Sequence, residues 1–409
     1  MTHRDMLMPR EAGRRERRVP DGWSEGKVSD LLVGLESGVS VNGEDRKIEP
    51  NEMAVLKVSA VSYGFFDPTA AKVVDGEELE RAKTNPKHGQ IIISRSNTEE
   101  LVGASAYVDA DHPNLFLPDK LWQTIPKPNS DMKWLSYVLA SDHSRYTLSN
   151  LATGTSGSMK NITKGELLGL KVLIPPAIEQ KKIAQILSTW DKAITITEQR
   201  LANSQQQKRA LMQQLLTGKQ RLLDQNGERF EGEWKRVELG DLLNYSQPTP
   251  YLVESTDYSD EFSTPVLTAG KTFILGYTNE ASGIFSENLP VIIFDDFTTD
   301  SKFVDFPFKA KSSAMKILIA KEGVSIKYVY EAMQLLDFTV GGHQRHWISI
   351  YSRLVVPFPE KEEQQKIAAV LAAADQEITT LQQQLDHLKQ EKKALMQQLL
   401  TGKRRVQMN

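Results

Sequence analysis

Ala210-Leu211-Met212-Gln213-Gln214-Leu215-Leu216-Thr217-Gly218-Lys219 recurs without a change at Ala394–Lys403. Two identical stretches of this length do not arise by chance. The match also runs backwards without a gap. Pro175 aligns with Pro359, Glu179-Gln180 with Glu363-Gln364, and Lys182-Ile183-Ala184 with Lys366-Ile367-Ala368. Leu187, Asp191, Ile194 and Leu201 align with Leu371, Asp375, Ile378 and Leu385. The chain is an internal duplication: a variable region, a helix, a second variable region, a second helix.

Both repeated segments carry a heptad seam. In the second copy Ile367, Leu371, Ala374, Ile378, Leu381, Leu385, Leu388, Leu395 and Leu399 step by alternating fours and threes, with Lys392 in the gap. That spacing predicts a left-handed coiled coil. The first copy keeps the phase with Ile183, Leu187, Trp190, Ile194, Leu201, Leu211 and Leu215, while Thr197, Ser204 and Lys208 take core positions. Polar seam residues cost stability and commonly fix register. Each helix follows a proline (Pro176, Pro359) and stops at Thr-Gly (Gly218, Gly402), a common end signal. Roughly 40 residues at 1.5 Å each give a helix of about 60 Å. The second variable region begins where the first helix ends and closes where the second begins. Compact domains commonly bring their termini together, so the two helices are expected to run antiparallel. A helical hairpin that merely packs the two regions together is the alternative. The expected fold is α+β: two globular α/β domains separated by two long antiparallel coiled-coil helices, with a pseudo-twofold internal repeat. The boundaries read as a basic tail over 1–20, a first domain over 21–174, a helix over 175–219, a second domain over 220–358, and a helix with its tail over 359–409.

With 409 residues the chain can build two or three cores. Its formal charge of −3 gives no global signal for a polyanion partner, so nucleic-acid binding would need local basic surfaces or a partner. Cysteine is absent, which excludes disulfides and cysteine zinc sites and suits a reducing cytoplasm. No run approaches the apolar length of a membrane span, and no apolar signal core opens the chain. Arg10, Arg14, Arg15, Arg17 and Arg18 sit in a polar stretch that reads as a solvated tail or a basic arm on DNA.

The variable regions begin alike. Trp23 leads to Asp30-Leu31-Leu32 and Trp234, at the same spacing, to Asp241-Leu242-Leu243. Beyond that their contents diverge, which suggests modules that recognise different things. The first reads as short strands and turns. Gly89-Gln90-Ile91-Ile92-Ile93 predicts a buried strand that delivers Ser94 and Arg95 to an exit loop. Gly154–Asn161 is a small polar loop whose Ser156, Ser158, Lys160 and Asn161 offer donors to phosphates; an ordinary surface loop is the plainer reading. In the second region Gly270-Lys271-Thr272 lacks the upstream glycine of a P-loop, since Pro265 stands there. Nucleotide binding is rejected, and Lys271 is kept as a phosphate contact. Asp295-Asp296 with Lys302 hints at a metal-dependent nuclease, but the lysine follows too closely on the same element. Lys309 and Lys311 could reach phosphates or stand on a sheet rim. Gly341-Gly342-His343-Gln344-Arg345-His346-Trp347 is the strongest base-reading candidate through His343, Gln344 and Arg345, because Arg pairs with guanine and Gln with adenine. His346 and Trp347 are equally readable as packed residues. No convincing metal site emerges.

Together these residues resemble the specificity subunit of type I restriction–modification systems, over nearly the whole length. The likeness rests on the order of regions, on Pro175-Pro176 with Glu179–Ala184, on Glu363–Ala368, on both Leu-Leu-Thr-Gly-Lys ends, and on Gly154–Asn161 followed by Ile162–Leu167. Pro265–Thr278 and Pro290–Lys311 resemble one recurrent type of target recognition domain. Glu360 departs from Pro176 without expected consequence. The resemblance implies a chain with no catalysis and no cofactor of its own. Each domain would read half of a split site in double-stranded DNA. The helices would set the gap and dock two modification (methyltransferase) subunits carrying S-adenosylmethionine. Restriction subunits would add ATP- and magnesium-dependent translocation and cleavage. A coiled-coil adaptor that binds proteins without DNA specificity is the competing reading.

Overall fold

The computed structural model describes residues 19–156, 159–270, 272–338 and 346–407. The chain divides into two compact units. Unit 1 is Met1–Ile196 with Leu385–Asn409, and unit 2 is Thr197–Gln384. The helices are α1 (Gly76–Arg81), α2 (Met132–Ala140), α3 (Asp142–Leu151), α4 (Lys164–Leu168), α5 (Ala177–Leu215), α6 (Leu239–Leu242), α7 (Ile326–Met333) and α8 (Lys361–Leu399). The two long ones, α5 and α8, have 39 residues each; α5 divides almost evenly between the units, while α8 gives its first 24 residues to unit 2 and its last 15 to unit 1.

Each unit is built on a four-stranded antiparallel sheet. In unit 1 the order is Leu32–Ser37, Leu121–Pro126, Ile91–Ser94, Ser105–Tyr107. In unit 2 it is Leu243–Ser246, Met315–Ala320, Val291–Asp295, Ser301–Val304. The unbroken apolar runs Ile91-Ile92-Ile93 and Val291-Ile292-Ile293-Phe294 have a direct cause, since both faces of each central strand are covered. Ile91 and Ile93 enter the core under α2 and α5, and Ile92 enters a second core on the other face. Ile292 and Phe294 face one core of unit 2, and Val291 and Ile293 the other. The helices α2 and α3 were not foreseen in a region expected to be strands and turns. Asp131 caps α2 through the Trp134 amide, and Ser325 caps α7 through the Tyr328 amide.

Each variable region is closed by its own first and last strands. Ser24–Lys27 pairs antiparallel with Lys171–Ile174, and Lys235–Glu238 with Val355–Phe358. The ends of each region are therefore adjacent, as the antiparallel expectation required. In unit 1 the start of α5 meets the end of α8: Ile183, Ala184 and Leu187 share a core with Leu395 and Leu399. In unit 2 the end of α5 meets the start of α8: Met212 and Leu215 pack with Ile367, Ala368 and Leu371. Within each unit the helices run antiparallel. Ile183, Leu187, Leu201, Leu215, Ile367, Leu371, Leu381, Leu385 and Leu399 are buried, as are Thr197 and Ser204. Trp190, Ile194, Leu211, Ile378, Leu388 and Leu395 are half-buried. The heptad phase is the one read from the sequence.

The seam lysines have partners that the repeat itself supplies. Lys208 Nζ lies 2.6 Å from Asp375 Oδ1 and 3.0 Å from Glu331 Oε2. Lys392 Nζ lies 2.5 Å from Asp191 Oδ1. Asp191 and Asp375 are repeat equivalents, so each lysine is held by the aspartate of the other copy. Sliding one helix by a heptad would strand both charges in a partly buried seam, so these pairs specify register.

Candidate nucleic-acid interface

Of the residues singled out for DNA contact in unit 1, Arg95, Lys160 and Asn161 come together. Ser96–Asn97 pairs with Met159–Asn161, setting Lys160 opposite Asn97 and Asn161 opposite Ser96. The Ile162 amide donates to the Arg95 carbonyl. Gly154–Asn161 was expected as a loop; its described residues form a hairpin instead, Thr153–Ser156 against Met159–Asn161. Arg95 is partly committed: its Nε donates to the Asp119 carbonyl at 2.8 Å and its guanidinium sits 3.1 Å from the Asp119 carboxylate. Lys160 Nζ donates to the Gly154 carbonyl. Ser94 requires correction. It is fully buried, its Oγ donates to the Ser96 carbonyl and accepts from Asn97, and it cannot meet a ligand. The strand simply continues inside for one residue more than the exit loop allowed.

In unit 2, Lys309 is also corrected. Its ammonium is buried, 2.5 Å from Glu280 Oε2, and donates to the Ser282 carbonyl. That pairing lowers the Glu280 carboxyl. Lys311 is half-buried with its ammonium 5.8 Å from the Tyr258 ring centroid. Asp295 Oδ1 accepts the Phe297 and Thr298 amides and so caps a turn. Asp296 is buried beside Lys316 at 3.4 Å and accepts the Trp347 amide. These carboxylates are used by the fold, and no cluster of potential metal ligands occurs among the described residues. His346 and Trp347 are buried, which favours their packed reading. Lys271, Ser158, His343, Gln344, Arg345 and the arginine-rich segment before residue 19 lie outside the described residues, as does the side chain of Ser156.

The sequence did not disclose what the repeated helix starts do. In unit 1 the Trp23 indole donates to Glu179 Oε2 at 2.9 Å, and Arg405 adds two bonds to the same carboxylate at 2.8 Å each. In unit 2 Trp234 donates to Glu363 Oε2 at 3.0 Å, and Arg221 adds bonds at 2.6 and 2.8 Å. Each guanidinium also lies over its tryptophan ring, at 5.7 and 5.3 Å. Neighbouring residues repeat the symmetry. Gln180 accepts from the Asp131 amide and donates to the Pro175 carbonyl; Gln364 accepts from Ser325 and donates to Pro359. Lys182 and Lys366 donate to the carbonyls of Gln407 and Leu223. The Glu-Gln-x-Lys pattern is thus a joint that ties a helix start to its variable region and to the segment leaving the other helix. Positive φ at Gly218 and Gly402 (72° and 67°) turns that segment back toward the tryptophan. The missed signal was in reach, because both repeats continue to an arginine three residues past that glycine.

A family model described as the type I restriction modification DNA specificity domain matches the chain twice, over residues 20–204 and 231–390. The specificity subunit of the type I restriction enzyme EcoR124I/EcoR124II from Escherichia coli is 51% identical over 145 residues, 34% of this chain and 35% of that protein. The chain therefore matches only about a third of that relative's length. A putative type I restriction enzyme MjaX specificity subunit from Methanocaldococcus jannaschii is 24% identical over 417 residues, 95% of each chain. Among solved structures, the S subunit of a type I restriction-modification system from M. genitalium shares the fold, with a TM-score of 0.66 at 16% identity over 95% of this chain and 97% of that one. With one family match on each repeat and most of the sequence covered, the chain belongs to the type I restriction modification DNA specificity family.

Proposed function

We propose that this chain is the non-catalytic specificity subunit of a type I restriction–modification enzyme, with each unit reading one half of a bipartite site in duplex DNA. The observation that carries this reading is the duplication of a frame around unlike contents. Both units have the same sheet order, the same closing strand pair and the same Trp–Glu–Arg joint, yet the surfaces between those fixed points share no sequence pattern. Such a frame is suited to presenting two different readers in one setting. On this reading α5 and α8 set the gap between half-sites and dock two modification subunits. Those subunits bring S-adenosylmethionine and adenine methylation, and restriction subunits bring ATP, magnesium and cleavage. The complex works on chromosomal and incoming DNA in the cytoplasm. No described helix is long and apolar enough to cross a membrane.

The test is exchange of residues 231–355 for the corresponding region of another family member, followed by methylome sequencing of cells carrying the modification subunit. One half of the methylated motif should change and the other persist. A motif unchanged in both halves, or changed in both, would sink the modular reading.

A further inference from the structure

The two repeats are alike at their joints but not in charge. In unit 2, Lys327 on α7 is paired with Glu331 at 2.7 Å and with Asp375 at 2.9 Å. Burial alone would lower its pKa, but these carboxylates outweigh it and raise the value. The residue in the same place on α2 of unit 1 is Lys133, and Glu331 is replaced there by Tyr137. Tyr137 and Lys392 both engage Asp191, by Tyr137 Oη and Lys392 Nζ at 2.5 Å each. Lys133 forms no ion pair among the described residues. It sits 4.4 Å from the Tyr107 ring centroid and 5.7 Å from that of Tyr137. Burial lowers its pKa, aided by Lys392 and opposed by Asp191 and Asp109.

Lys133 lines a cavity of about 370 Å³ between α2 and the start of α5, with Lys181, Lys192, Ser188, Thr189 and Asp131 among its walls. On α8 the repeat equivalents of Lys181, Ser188, Thr189 and Lys192 are Gln365, Ala372, Ala373 and Gln376. The neutral set, with two alanines, is the better helix former, so helix stability does not account for the basic one. Lys181 and Lys192 also lack ion pairs among the described residues. The hydroxyls are already used: Thr189 donates to the Gln185 carbonyl, and Ser188 bonds to Tyr137. Asp131 is occupied as the α2 cap. What the cavity offers a ligand is three ammonium groups against the one carboxylate of Asp131, with a single directional donor, the exposed Gln185 amide. A site built to select one small anion would present oriented hydrogen bonds. A contact that must be blind to sequence needs charge alone.

We propose that this cavity of unit 1 takes a phosphodiester of the DNA backbone through Lys133, Lys181 and Lys192, and that unit 2 has no counterpart. The inference rests on the DNA-specificity reading above. The full chain, alone and with its modification subunit, is titrated with cognate and unrelated duplexes across a range of salt. It is compared with a variant carrying Lys133→Gln, Lys181→Gln and Lys192→Gln; the second repeat has glutamine at two of these places. Each phosphate contact contributes about 0.9 to the slope of log K against log salt. The three lysines neutralise one phosphate, so the triple variant should lose about 0.9 from the slope, equally on both duplexes. Should it fail to fold, a variant carrying only the exposed Lys181→Gln and Lys192→Gln should lose most of that ~0.9. An unchanged slope in a chain that binds DNA overturns the proposal. So does loss of modification-subunit binding with DNA binding intact, which would make the cavity a protein dock. Saturable binding of pyrophosphate or ATP at the cavity with an unchanged DNA slope would assign it to free phosphates and overturn it equally. If the unaltered chain binds no duplex in either state, it is the DNA-specificity reading that fails.

Discussion

Removing the arginine from each joint should destabilise one unit at a time, and unequally. Glu363 is shut off from water and receives three donors, two from Arg221 and one from Trp234. Arg221→Ala leaves it with the indole alone. Stripping one partner from a buried ion pair costs about 3–5 kcal/mol. Arg221 is itself mostly buried, so a loss of about 3–4 kcal/mol is expected within that range. Arg405 is 41% exposed, and water can follow its removal toward Glu179. For Arg405→Ala the cost should fall to about 2 kcal/mol through that solvent screening. In a unit of this size each kcal/mol moves the midpoint by roughly 2–4 °C, so the two variants should separate by several degrees. Hydrogen exchange read by mass spectrometry locates the effect. Arg221→Ala should deprotect Val291–Asp295 and Met315–Ala320, and Arg405→Ala should deprotect Ile91–Ser94 and Leu121–Pro126. Acid adds a second check. Burial pushes the Glu179 carboxyl up, but the hydrogen bonds from Arg405 and Trp23 outweigh it and hold the carboxyl below its usual value. A depressed folded pKa stabilises fully above the unfolded value of about 4.3 and is lost as pH falls through the folded one. The Arg405→Ala deficit should therefore shrink in acid. Two variants each within about 0.5 kcal/mol of the parent, the range of an ordinary surface change, would refute the joint as a source of stability.

Gly402→Ala should be the costlier of the two helix-end substitutions. A Cβ there would sit 2.3 Å from Pro20 Cγ, whereas at Gly218 it would meet Trp234 only at 3.5 Å. The positive φ alone predicts about 1 kcal/mol at Gly218, and thermal melts should show more at Gly402. Lys208→Met strands Glu331, which is fully buried, and Asp375 with only Lys327 between them; a loss of about 3 kcal/mol is expected in urea titrations. Inserting residues in α5 ahead of Lys208 should change the gap between half-sites in a methylome, and an unchanged gap would argue against helices as the spacer. Arg345→Ala should relax recognition of one half-site by about 1–3 kcal/mol if it contacts a base, measured as binding to cognate and mismatched duplexes.

The helices were legible because their signal is periodic and doubled: the sixteen apolar seam positions named are all buried or half-buried. The strand through Ile91-Ile92-Ile93 was legible because burial on both faces leaves an unbroken apolar run. Single contact residues were not. Lys309 reads as a free cation until Glu280, far along the chain, is folded beside it. Ser94 reads as a loop donor because no local pattern tells a polar residue inside a sheet from one just beyond it. Nothing local links Arg95 to Lys160–Asn161; only the pairing of Ser96–Asn97 with Met159–Asn161, next to Arg95, brings them together. The roles of Gln180 and Gln364 were not legible because each accepts the backbone amide of a cap residue, Asp131 or Ser325, on another element.

The joint of unit 1 has a consequence for the order of assembly during synthesis. All of Thr197–Gln384 has been translated before Leu385 is added, so unit 2 can complete its core while the ribosome is still at work. Unit 1 begins earlier but lacks Leu399, which belongs to its core, and Arg405, which satisfies its buried Glu179. At translation rates of about 5–20 residues per second, its variable region waits many seconds before Leu395 and Leu399 can pack on Ile183 and Leu187. The first unit to be made is thus the second to be finished.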